Sequence, residues 1–167
     1  MGLKNETVCL KSNFKHWKKM FENEKKELVK LFVKEDVIIE HVGSTSVERL
    51  LAKPIVDIAI GVDDFKSVEK YINLLQEIYT IKNNDENGEI LLIKENNLET
   101  FYLIHILDRN SDRFKNMLKF RDILRNNPDV LKEYQELKKH LSVMYKNDRK
   151  MYTKSKNDFI QEALKSH

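Results

Sequence analysis

The sequence predicts an α+β domain in which a mixed β-sheet is backed by helices and followed by a helical C-terminal tail. Three observations carry this: a helical apolar period near the start, strand-like segments with a helix between them in the middle, and helical spacing throughout the residues after Ser111. The 167 residues suit one core, so a single domain over 1–167 is expected.

Phe14, Trp17, Phe21, Leu28, Leu31 and Phe32 recur with Lys and Glu between them, which predicts an amphipathic helix over 14–34. Val37 to Val42 is a short β-branched strand. Ile55 to Val62 is the strongest strand: alternation puts Val56, Ile58, Ile60 and Val62 on one face and Ile55, Asp57, Ala59 and Gly61 on the other. A second helix follows, capped by Asp63 or Asp64, with Phe65, Val68, Ile72 and Leu75 as its buried stripe. Strands over 78–82 and 89–94 flank the turn-forming run Asn83 to Gly88, and a last strand covers 100–107. Ser111 caps a helix to Arg125. Pro128 fits the first turn of the next helix, whose stripe is Leu131, Tyr134, Leu137, Leu141 and Met144. A final helix from Tyr152 carries Phe159, Ile160 and Leu164.

Hydrophobic residues make up 41% and charged residues 34%, and no apolar run approaches the roughly 18 residues of a membrane span. Met1 to Ser12 lacks the apolar block of a secretory signal, so a cytoplasmic location is expected. Cys9 is the only cysteine and reads as a packed or surface thiol in a reducing compartment. The net charge of +3 divides into +7 from Arg109 onward and −4 before it, a division that suits a phosphorylated ligand held between the halves. Solvated helix faces account for the same charges. No aromatic residues interleave with a basic patch, so a nucleic-acid groove is not expected.

The stretch from Glu40 to Val62 carries the chemistry. Gly43 lets a ligand approach the backbone, while Ser44, Thr45 and Ser46 offer hydroxyl and amide donors; a short helix starting near Ser46 would make an anion site of them. A capped turn without a ligand satisfies the same residues. Asp57 stands on a face of small residues, where an unpaired carboxylate is costly, so a metal ion, a ligand or a cationic side chain belongs beside it. The structural version of that partner is a salt bridge to Lys53 or Arg121. His41 and His105 lie on apolar strand faces, either as satisfied core residues or as pocket residues. No His or Cys pair has zinc-finger spacing.

Several segments, in order and spacing, resemble the GrpB-like family of small bacterial proteins, a branch of the nucleotidyltransferase superfamily. They are Glu40 to Val47, Leu51 to Ile58, Ile104 to Leu107, Leu118 to Arg125, Pro128 to Leu141 and Tyr152 to Ile160. The resemblance implies a nucleotidyltransferase-like mixed sheet, with the Gly-Ser segment holding nucleotide phosphates and two alternating carboxylates on the next strand binding Mg²⁺ or Mn²⁺. Gly43 and Ser44 match the first motif and Asp57 the first carboxylate. Ala59 occupies the second carboxylate position, and His105 stands where a third acid is usual. Leu103 replaces a frequent histidine, and Glu48-Arg49 replaces a common Pro-Gly. Arg121-Asp122 falls on a Phe-Arg-Asp motif and Tyr152 with Lys156 on a Tyr-x-x-x-Lys motif, one helical turn apart.

What this implies is a transferase that binds a nucleoside triphosphate and passes a nucleotidyl group to a small-molecule acceptor. Gly43, Ser44, Thr45 and Ser46 would grip phosphate, Lys53 and Arg121 neutralise charge, Tyr152 and Lys156 reach the same ligand, Asp57 hold the metal, and His105 act as base or ligand. A second reading is a noncatalytic module for a nucleotide or phosphometabolite. Coenzyme A precursors enter there because some GrpB-like domains are joined to a coenzyme A biosynthesis kinase. A third is a metal-dependent hydrolase using His41, Asp57 and His105.

Overall fold

A computed structural model describes residues 3–4, 8–33, 35–85, 88–96 and 99–167. After a two-residue strand β1 (Leu3–Lys4), the helical apolar period forms α1 (Phe14–Leu31), burying Trp17, Phe21 and Leu28. Phe32 closes the helix three residues short of the expected end at Lys34, which lies outside the described residues. Strands β2 (Ile38–Val42) and β3 (Val56–Val62) follow, then a 3₁₀ segment (Phe65–Tyr71) running into α2 (Ile72–Ile78). The expected second helix is therefore α-helical only in its second half; Asp64 caps the 3₁₀ half by accepting from the Lys66 amide at 3.0 Å.

Strands β4 (Thr80–Asp85), β5 (Glu89–Asn96) and β6 (Glu99–Asp108) complete the sheet. Of the expected turn, Asn83 to Asp85 belong to β4, and Glu86 and Asn87 lie outside the described residues. The path order is β2-β3-β6-β5-β4, with β1 pairing the first residues of β6. Only β3 and β6 run parallel, so the sheet is mixed, as expected.

The tail comprises α3 (Asp112–Asn126), α4 (Pro128–Met144), α5 (Arg149–Lys154) and α6 (Asn157–Ser166). Ser111 caps α3 through the Phe114 amide at 3.3 Å, and Pro128 opens α4. Where one final helix was expected from Tyr152, the chain breaks after Lys154, and Asp148 caps the earlier start. Met144 is exposed instead of joining the α4 stripe; the buried positions there are Tyr134, Lys138 and Leu141. Among the described residues no helix is long and apolar enough to cross a membrane.

The alternation along β3 builds the layers. Val56, Ile58, Ile60 and Val62 enter the main core against α1, where each buried large side chain contributes about 1.5–3 kcal/mol. On the other face Ala59 packs with Val42, Leu107 and Phe114 of α3. Arg49, in the loop after β2, has φ 68, the left-handed region where glycine is favoured. This is one of the positions where the resemblance leads one to expect Gly. Arg49→Gly should raise the urea-unfolding free energy by about 0.5–1 kcal/mol, and an unchanged or lowered midpoint would show that no strain is stored there.

Candidate functional site

β2 ends at Val42, whose cross-strand partner is Asp57. The next residue, Gly43, has φ 67, and a Cβ built on it would lie 2.4 Å from Asp57 Oδ2. The carboxylate thus rests against the bare glycine backbone, a contact that any side chain would forbid. Ser44–Ser46 forms a single 3₁₀ turn: the Ser46 amide donates to Gly43 O at 3.2 Å and the Ser46 hydroxyl to the same oxygen at 2.6 Å. The short helix expected from Ser46 is absent, since Val47 is already extended.

Burial raises the Asp57 carboxyl above the usual carboxylate range, opposed by His105, Lys53, Lys156 and Arg149. Lys156 and Arg149 come from the helical tail. Lys53, in the loop before β3, is pushed down to about 7 by burial and by Lys156 and Arg149, with Asp57 pulling the other way. Lys156 falls to about 8, mainly through burial, with Asp57 opposing. Lys138 is driven well below the ordinary lysine value by burial and by its two lysine neighbours. Its ammonium donates to Leu51 O and sits over the Tyr134 ring. Tyr152 is fully buried and carries the Lys156 ammonium 4.6 Å and the Lys53 ammonium 5.3 Å from its ring centre. Tyr152 and Lys156 therefore meet, although they lie either side of a helix break. Among the described residues the Tyr152 hydroxyl has no hydrogen-bond partner.

These groups line a cavity of ≈ 380 Å³ with Ser44, Thr45, Asp57, His105 and Arg149. Asp57, Ser44, His105 and Lys156 also border a second chamber of ≈ 620 Å³ between α3 and α6, whose lining includes Asn116, Met117, Phe120 and Gln161. One chamber is strongly cationic, while its neighbour adds Arg113 to a lining of mixed polar and apolar side chains, with Asp57 and His105 at their junction. His105 Nδ1 lies 2.7 Å from Glu89 Oε1, and Arg113 reaches Glu89 Oε2 at 2.5 Å.

Three expected site residues are not in this group. His41 faces the α1 side of the sheet, level with Ile58; it stacks on Phe21 at 4.9 Å and bonds Thr45 Oγ1 at 3.0 Å. Burial, with Arg125 and Arg121 nearby, lowers its pKa to about 3, so it stays neutral. The proposed set of His41, Asp57 and His105 is therefore not assembled. Arg121 pairs with Glu40 at 2.5 Å and Asp122 at 2.8 Å instead of Asp57. Ser46 turns its hydroxyl to its own backbone, and its carbonyl receives Arg125 at 2.8 Å. Among the described residues no three His, Cys, Asp or Glu side chains are grouped to hold a metal ion.

Lys138, Arg149, Glu89 and Arg113 were not expected in the site. Lys138 had a readable signal: it falls four residues after Tyr134 and three before Leu141, on the buried stripe of α4. Arg149 had none.

Residues 7–166 match the family described as GrpB protein. The glutamate-rich protein GrpB of Alkalihalophilus pseudofirmus is 34% identical over 170 residues, covering 98% of both chains. The UPF0157 protein YqkA of Bacillus subtilis is 32% identical over 88% of this chain, which spans 43% of that relative. The crystal structure of conserved protein GrpB from Enterococcus faecalis aligns with a TM-score of 0.84 and 28% identity, over 95% of this chain and 98% of that one.

Proposed function

The chain belongs to the GrpB family, and on that premise we propose that its cleft binds a nucleoside triphosphate by the phosphates and transfers a nucleotidyl group to a small hydroxyl-bearing acceptor. The carrying observation is the convergence of Lys53, Lys138, Lys156 and Arg149 around one carboxylate in a cavity of ≈ 380 Å³. One buried and three half-buried basic side chains against one acid are costly without a polyanion, and a triphosphate supplies the missing charge. The Tyr152 hydroxyl, buried without a partner, adds a donor for the same ligand.

The residues suit one divalent cation and not two. Asp57 would hold Mg²⁺ or Mn²⁺ together with phosphate oxygens, an arrangement in which one protein carboxylate suffices. Ala59, packed against Phe114, leaves the second carboxylate position empty of ligand atoms. Such an ion neutralises charge on the phosphates. The chain's own residues do the rest: the lysines and Arg149 draw charge toward the departing phosphates, and His105 stands where the second chamber would present an acceptor. A noncatalytic phosphometabolite-binding module is the second reading, favoured by the same Ala59.

Calorimetric titration of ATP, GTP, CTP and UTP, each with and without Mg²⁺ or Mn²⁺, tests binding; release of pyrophosphate in the presence of candidate alcohols tests transfer. Saturable binding without pyrophosphate selects the module, and no binding of any of the four by folded protein removes the transfer reading. A pH signature should accompany binding. Phosphate favours the charged ammonium, so it raises the pKa of Lys53 and Lys156 from about 7 and about 8. Metal-free ATP should therefore take up protons at pH 8, seen as a buffer-dependent binding heat. Its affinity should fall by roughly one to two powers of ten between pH 7 and pH 9. A flat profile would mean that these lysines do not meet the phosphates.

A further inference from the structure

We propose that Glu89, held in place by Arg113, is a positioning residue that fixes His105 as the proton acceptor at the junction of the two chambers. The inference rests on the transfer reading above for the identity of the proton donor, but not for the state of the histidine.

Glu89 begins β5 and projects on the same sheet face as Leu91, the direct cross-strand partner of His105. The Glu89 side chain is 5% exposed and that of His105 14%. A carboxylate oxygen only accepts, so the 2.7 Å contact places the ring proton on Nδ1. In the neutral ring Nε2 is then the bare acceptor, on a side chain that lines both chambers. The other Glu89 oxygen takes Arg113 from the first turn of α3, which offsets the carboxylate charge beside a phosphate-binding cavity and holds its orientation. An ion pair serving the fold alone has no need of a histidine that borders both chambers.

In the transfer step the acceptor's O–H bond breaks as its oxygen bonds the α-phosphorus. The bond from that phosphorus to the bridging oxygen breaks, and pyrophosphate leaves with the electron pair. The proton passes to His105 Nε2. No second carboxylate on β3 is required for this, in keeping with Ala59.

Long-range ¹H–¹⁵N correlation spectra of ligand-free protein at alkaline pH test the assignment, with His105→Gln identifying the resonances. The expected wild-type ring carries Nδ1–H and an unprotonated Nε2. Glu89→Gln, whose amide oxygen still accepts from Nδ1, should keep that form. Glu89→Leu should lose it, giving a mixture or the Nε2–H form. A wild-type Nε2–H ring, or an unchanged ring in Glu89→Leu, overturns the proposal. Should Glu89→Leu fail to fold, the wild-type ring and its retention in Glu89→Gln decide. These spectra need no nucleotide, so a protein that fails to bind ATP but shows the Nδ1–H ring loses the transfer reading and keeps the Glu89 assignment.

Discussion

Asp57→Asn is expected to separate metal-dependent from metal-free triphosphate binding. On the proposed reading the Asp57 carboxylate would repel bare phosphates that the surrounding lysines attract, and it would hold a divalent cation that supplies the compensating charge. Asparagine keeps the shape beside Gly43 while removing the charge. Metal-free ATP should therefore bind the variant at least about tenfold tighter, a change of about 1.4 kcal/mol. The gain from adding Mg²⁺ should disappear, and any turnover should fall by about a hundredfold or more. The fold should persist, because the substitution relieves the burial that raises the Asp57 carboxyl in the first place. Calorimetry with and without Mg²⁺ reads all of the binding effects. Equal Mg²⁺ dependence in variant and wild type would remove Asp57 from the metal role.

What could be read from the residues depended on the distance over which each feature is decided. Ser111 and Pro128 marked helix starts correctly because capping is settled within one turn. The β3 alternation identified both the core face and the isolated Asp57, since side-chain direction along a strand has period two. His41 was misplaced because its face depends on the β2–β3 register, which pairs it with Ile58. Arg121, expected beside Asp57 or a phosphate, is turned elsewhere for a related reason: the packing of α3 against β2, which is not local in sequence, brings it to Glu40. The break between α5 and α6 left no clear mark in composition, yet it brings Arg149, Tyr152 and Lys156 to one cavity. Lys156 and Arg149 of the basic tail act on Asp57 of the acidic first half, and the titrations above decide whether a phosphorylated ligand lies between them.

Gly43→Ala should damage stability and site together, which distinguishes it from Asp57→Asn. At φ 67 and ψ −173, a region essentially reserved for glycine, a side chain costs about 1–3 kcal/mol in backbone strain alone. The new Cβ would also stand 2.4 Å from Asp57 Oδ2 and 2.9 Å from its Cγ, so the carboxylate must leave its seat. Total destabilisation of about 2–4 kcal/mol is expected, with Mg²⁺-dependent ATP binding lost in the protein that remains folded. The two costs can be separated by a double-mutant cycle. In an Asp57→Ala background the clashing Oδ2 and Cγ are gone and only the Cβ contact at 3.0 Å remains, so Gly43→Ala should cost little beyond the backbone strain. The two substitutions should therefore couple by about 1–2 kcal/mol in urea unfolding. Strict additivity would mean that glycine is needed at 43 for backbone conformation alone and that the carboxylate's seat against it has no energetic weight. The expected coupling would instead tie the Gly-Ser turn to the carboxylate as one unit, with the glycine present because Asp57 occupies the space of a side chain.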